Sequence, residues 1–163
     1  MRKFRLIVCC LVVSLFSLQA FAQPKAVGGE FAAGVRLGGT TALTLKKYSG
    51  HNNSALEFLA GWNFDNSLDG FNISGMWEKL APLTASRKLN AEFGFGATAV
   101  FGDKFYFGPS GIVGFDWRLK AVPITMSFDW MPTWIVVGTN RFSGTNGAFS
   151  IRWIVNHKNY SRK

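Results

Sequence analysis

Residues 123–132, P-I-T-M-S-F-D-W-M-P, alternate strictly between large apolar and small polar side chains. Strand side chains point to opposite faces in turn, so Ile124, Met126, Phe128 and Trp130 share one face while Thr125, Ser127 and Asp129 share the other. Two folds use such a strand. A soluble sheet turns the oily face to a core; a membrane barrel turns it to lipid and keeps the polar face in its lumen.

The same alternation returns in eight segments, at 27–38, 41–48, 54–64, 71–79, 89–102, 109–119, 122–137 and 147–155, separated by stretches of turn-forming residues. One face collects Phe31, Val35 and Leu37, then Leu43, Leu45, Leu56 and Phe58, and so on to Phe149, Ile151 and Trp153. The opposite face carries Glu30, Arg36, Lys46, Glu57, Glu78, Glu92, Asp116, Arg118, Asp129 and Arg152 among Gly, Ser, Thr and Asn. An eight-stranded barrel has an interior only just wide enough for side chains to fill. So many Phe and Trp rings do not fit there, whereas the small and polar face does. The sequence therefore predicts an all-β fold, an eight-stranded antiparallel up-and-down transmembrane β-barrel. A soluble lipocalin-like barrel is the rival, and it needs the oily face inside.

The ends lie outside this pattern. Residues 1–22 read as a cleaved signal peptide: Arg2, Lys3 and Arg5, an apolar run from Leu6 to Leu18, and Ala20-Phe21-Ala22 as a small-x-small cleavage site. That leaves a barrel over 23–155 and a polar tail over 156–163. Cys9 and Cys10, the two cysteines of the chain, fall in the leader, so the mature protein has no disulfide and no thiolate metal site. Removing the three basic residues of the leader from 18 leaves 15 against nine acids, a charge of +6. The basic residues are not massed on one element, and no nucleic-acid partner is expected. No run of 18 apolar residues follows Ala22, so no transmembrane helix is expected.

In barrels of this kind both chain ends lie on the periplasmic side and the outer loops tend to be longer. The outer connections are then 39–40, 65–70, 103–108 and 138–146. Trp77, Trp117 and Trp153 mark an inner aromatic girdle, and Trp62 and Trp134 the outer one, where indole rings favour the membrane interface.

Gly34-Val35-Arg36-Leu37-Gly38-Gly39, Ala55-Leu56-Glu57, Met76-Trp77-Glu78-Lys79, the S-F-D-W-M-P ending of residues 127–132, and Ala148-Phe149-Ser150-Ile151-Arg152-Trp153 together resemble the small outer-membrane β-barrel proteins of the Bacteroidetes type. These are similar in architecture to the eight-stranded OmpX and OmpA barrels. The resemblance implies location and fold more than activity. Such proteins usually end on an aromatic residue read by the barrel-insertion machinery; here Val155 stands in that place and a polar tail follows.

Six of the nine mature acids face four cations, Arg36, Lys46, Arg118 and Arg152, on the inward face. Buried charges persist when paired, so the expected lumen is a salt-bridge network that plugs the barrel, with Arg152 on the last strand as the partner of Asp129. The surplus of carboxylates leaves a narrow polar channel as an alternative. A lipid A-modifying enzyme is a second alternative, which needs a histidine-activated serine. His51 with Ser54 and His157 with Ser161 are the available pairs, and neither has a convincing catalytic spacing. No catalytic residue, metal site or cofactor is expected. Lys104, Tyr106, Arg141 and Phe142 in the outer loops suit a surface ligand. Lys47, Lys79, Arg87, Lys88, Lys120, Lys158, Arg162 and Lys163 make the inner rim cationic and suit membrane lipids. The expected protein is a monomer in the outer membrane of a Gram-negative bacterium, non-catalytic, with a structural or surface-interaction role.

Overall fold

The structure, a computed structural model, describes residues 29–49, 53–64, 68–84, 88–119 and 122–155. The predicted leader at 1–22 and the tail at 156–163 lie outside them. All regular structure among the described residues is strand, in ten pieces: β1 (Phe31–Gly38), β2 (Thr40–Ser49), β3 (Ser54–Asn63), β4 (Gly70–Pro82), β5 (Leu89–Phe101), β6 (Phe105–Arg118), β7 (Ile124–Trp130), β8 (Thr133–Ile135), β9 (Arg141–Ser143) and β10 (Gly147–Ile154).

Neighbours in sequence pair antiparallel from β1 round to β7, and β10 pairs both β7 and β1, so the sheet closes on itself. β8 continues the line of β7 against β6, and β9 pairs β8, so the ten pieces make the eight staves of a closed antiparallel barrel. Closure leaves no long edge with unpaired backbone groups.

The seventh segment, predicted as one strand over 122–137, is broken at Met131 and Pro132. Pro132 has no N–H to give to a ladder. The backbone compensates locally: Met131 N donates to Asn146 O at 2.9 Å, and Gly111 N donates to Pro132 O at 2.9 Å. β9 lies inside the predicted loop 138–146. β6 begins at Phe105 rather than residue 109, because Phe101 to Ala97 continue the β5 ladder opposite it. Connection length does not separate the two mouths: Gly39 alone joins β1 to β2 and residues 102–104 join β5 to β6, against the expected longer outer loops.

Side chains alternate along each stave as period two requires. In β2, for example, Ala42, Thr44, Lys46 and Tyr48 are buried while Leu43, Leu45 and Lys47 are exposed. The lumen is filled in layers. Ala32, Tyr48, Ala55, Leu80 and Ile154 form an apolar layer near the mouth where β1 begins and β10 ends, the turn end. Ala42, Leu59, Met76, Ile112 and Met131 form another toward the opposite, loop end. The charged residues lie chiefly between and beside these layers. At the β1–β10 seam an inward position needs glycine. A Cβ on Gly34 would lie 1.9 Å from Ile151 O and 2.6 Å from Arg152 Cα across the β1–β10 seam.

Outside, the wall exposes Phe58, Phe95, Phe115, Phe128, Phe149 and many more large apolar side chains. A folded monomer in water rarely shows contiguous apolar surface on this scale.

Candidate functional site

Lys46 is the hub of the lumen. Its Nζ lies 2.6 Å from Glu78 Oε2, 2.7 Å from Glu92 Oε2, 3.5 Å from Glu57 Oε2 and 3.9 Å from Asp116 Oδ2. Glu57 is the direct register partner of Lys46, but the next three acids are not register partners of one another. Met76 pairs Glu57, Gly94 pairs Glu78 and Gly114 pairs Glu92, and each next acid, Glu78, Glu92 and Asp116, lies two residues nearer the turn end than that partner. That stepwise offset is the tilt of the staves, which turns a diagonal of the flat ladder into a level layer of the barrel.

Arg152 grips the same layer from β10. Its Nη2 donates to Glu57 Oε1, its Nε donates to Thr44 Oγ1 at 2.8 Å, and its Nη1 donates to Ser127 Oγ at 2.9 Å. Thr44 in turn donates to Glu57 Oε1 at 2.5 Å. Toward the turn end, Tyr48 donates its hydroxyl to Asp116 Oδ2 at 2.8 Å, and the Arg118 guanidinium stacks on the Tyr48 ring at 4.1 Å while Nη1 holds Glu30 Oε2. Toward the loop end, Arg36 Nη2 holds Asp129 Oδ1 at 2.6 Å, and Arg36 Nη1 donates to Asn146 Oδ1 at 2.9 Å. Asn146 Oδ1 also accepts from Thr40 N at 3.1 Å, tying the chain before β10 to the start of β2. A separate row of hydroxyls, Ser74, Thr98, Ser110 and Thr133, crosses β4, β5, β6 and β8 with spacings of 2.7 to 2.9 Å.

All ten charged residues assigned to the lumen are buried in it. One expected pairing is corrected: Asp129 pairs with Arg36, not with Arg152. The ladder puts Ala148 opposite Asp129 and Thr125 opposite Arg152, so the guanidinium and the carboxylate start four residues apart along neighbouring strands. Arg36, two residues from Gly38, the partner of Ala148, reaches Asp129 across β10. Tyr48, Thr44, Ser127 and Asn146 are network members absent from the expected set. Tyr48 was readable by parity, two residues beyond Lys46, and Asn146 was not, because it lies in an irregular segment.

Six carboxylates meet four cations, so the lumen carries two more acids than bases among its ten charged groups. Among the described residues Glu78 Oε1, Glu92 Oε1 and Asp116 Oδ1 are buried without a hydrogen-bond partner, and so is Arg36 Nε. The Lys46 and Arg152 layer lies across the lumen with its side chains fully or almost fully buried. Its chemistry is that of a buried network held by ion pairs.

The five aromatic girdle residues, Trp62, Trp77, Trp117, Trp134 and Trp153, are all exposed on the outer wall. At the loop end Trp62 Nε1 donates to Asp69 Oδ1 at 2.7 Å and Trp134 Nε1 donates to Asn140 Oδ1 at 2.8 Å. Trp130, which sequence placed on the oily face alone, joins them by donating to Gly144 O at 2.7 Å. Of the outer-loop candidates, Lys104 lies in the β5–β6 turn, Tyr106 is an inward-parity residue of β6, and Arg141 and Phe142 belong to β9. His51 and His157, on which the enzyme alternative turns, lie outside the described residues, and so does Ser161.

Compared with family models, curated proteins and solved structures, the chain matches none.

Proposed function

We propose that this protein is an outer-membrane β-barrel of a Gram-negative bacterium with a structural or surface-interaction role and no catalysis, its lumen plugged by the charged network. One observation carries the reading: the closed wall is inverted relative to a soluble barrel, with ion pairs inside and Phe and Trp outside. In water that outer surface would drive association; in a bilayer it is the favoured face, and closure satisfies the backbone that lipid cannot. The basic, apolar and small-x-small order of residues 1–22 supports export.

On this reading the partners are membrane lipids, the barrel-insertion machinery and a surface ligand held by the loop-end residues, and the barrel works as a monomer. The test is gel migration of a detergent extract with and without heating. A folded, heat-modifiable band in the membrane fraction is expected, and recovery of the folded protein from the soluble periplasm overturns the reading. Planar-bilayer recordings are expected to show no steady conductance, and lipid A mass spectra of a deletion strain are expected to match the parent.

A further inference from the structure

We propose that the turn-end rim of the barrel binds anionic phospholipid head groups through Lys47, Lys79 and Lys88, an interaction that rests on the membrane placement above. Lys47 stands on the outward face of β2, in the row where the flanking strands place Phe31 on one side and Leu56 on the other. Leu56 is in register with Trp77, so the lysine and an exposed indole stand on one row of the ladder, two strands apart. A long amphipathic side chain there lays its stem along apolar surface and carries its ammonium toward the interface.

Lys79 lies one outward position nearer the mouth than Trp77, beside Phe93. Lys88 precedes Leu89, the register partner of Trp117, and its carbonyl accepts from Arg118 N at 2.7 Å, which fixes its backbone at the rim. The three lysines thus stand near the turn ends of β2, β4 and β5, beside the register rows of Trp77 and Trp117. Lys47 and Lys79 stand two strands apart, roughly 10 Å in the pairing direction.

Acids are distributed in the opposite way. Glu30, Glu57, Glu78, Glu92 and Asp116 in this half are all buried in the lumen, while Asp69 and Asp103 are exposed at the loop end. Among the described residues, the turn end therefore shows exposed or half-buried lysines and no exposed carboxylate. A phosphodiester joined to acyl chains matches the whole surface, because the apolar rows of the wall run on directly from the lysines. A purely polar anion would use only the rim.

The full chain, refolded in a zwitterionic detergent, is titrated with short-chain phosphatidylglycerol and, separately, with short-chain phosphatidylcholine, and retained lipid is read by native mass spectrometry. Phosphatidylglycerol is expected to be retained in preference, with the preference falling about fivefold for each of K47Q, K79Q and K88Q. The triple glutamine variant is expected to approach parity and the triple arginine variant to keep the preference, which separates charge from packing; K104Q, at the other mouth, is expected to change nothing. Equal retention of the two lipids by a folded, detergent-requiring barrel overturns this proposal alone. A chain that stays folded and monomeric without detergent overturns the membrane placement, and this proposal with it.

Discussion

Arg36 of β1 and Asp129 of β7 meet at 2.6 Å although β10 lies between their strands. The pair therefore braces the wall across a whole stave, and its two members are fully and almost fully buried. Removing one partner strands a charge. Asp129→Ala is expected to cost roughly 3–5 kcal/mol of barrel stability, because among the described residues Arg36 then keeps the neutral acceptors Asn146 Oδ1 and Thr40 O. The double variant Arg36→Met/Asp129→Leu is expected to recover most of that loss. Urea titration of the folded barrel measures both; a double variant as unstable as the single one refutes the bracing account.

Lys46 and its acids give an asymmetric prediction. Lys46→Met is expected to destabilise by about 3–5 kcal/mol, since it leaves carboxylates buried without their shared cation. Glu78→Gln removes one of the two surplus acids and leaves Lys46 with Glu92 and Glu57. It is expected to lie within about 1 kcal/mol of the parent or to stabilise it. A loss on Glu78→Gln as large as that on Lys46→Met sinks the surplus-acid account.

The outer wall is tested at Phe128, which is 63% exposed and flanked in register by Phe115 and Phe149. In a bilayer Phe128→Arg is expected to cost about 2–4 kcal/mol, because the guanidinium is held in the apolar band. On a water-exposed wall the same change is close to neutral. Folding measured in vesicles of zwitterionic lipid distinguishes them.

Gly34 tests the closing seam. Gly34→Val places atoms within bonding distance of the β10 backbone, where Ile151 O sits 1.9 Å from an added Cβ, so β1 and β10 must separate locally. The folded fraction on refolding is expected to fall steeply. Gly75→Val, at an outward position with nothing within 4 Å of an added Cβ, is expected to be tolerated, and equal losses at both sites count against the seam.

Which face each side chain takes was legible because period two is a local property: once Phe128 is outward, Asp129 is inward. Burial of the ten charged lumen residues follows from the same rule and a volume argument. Which charges meet was not legible. Partner choice depends on the tilt of the staves, and tilt is set by closure of the whole ring, so no short stretch records that Arg36 rather than Arg152 reaches Asp129. The break at Met131 was half legible: Pro132 announces a missing donor, but the rescue by Asn146 O and Gly111 N comes from other parts of the chain. Tyr48 follows the rule too, although it stands near a strand end.

The seam between β1 and β10 also orders events in time. Ala32 pairs with Ile154, so the first stave made waits for the last before its outer edge is covered. Every shorter length of chain leaves two open edges, which in the proposed bilayer setting lipid cannot satisfy. A nascent chain released early, or clipped before β10, is thus an incomplete wall with sticky margins rather than a smaller barrel, and those margins stay open until the final strand arrives.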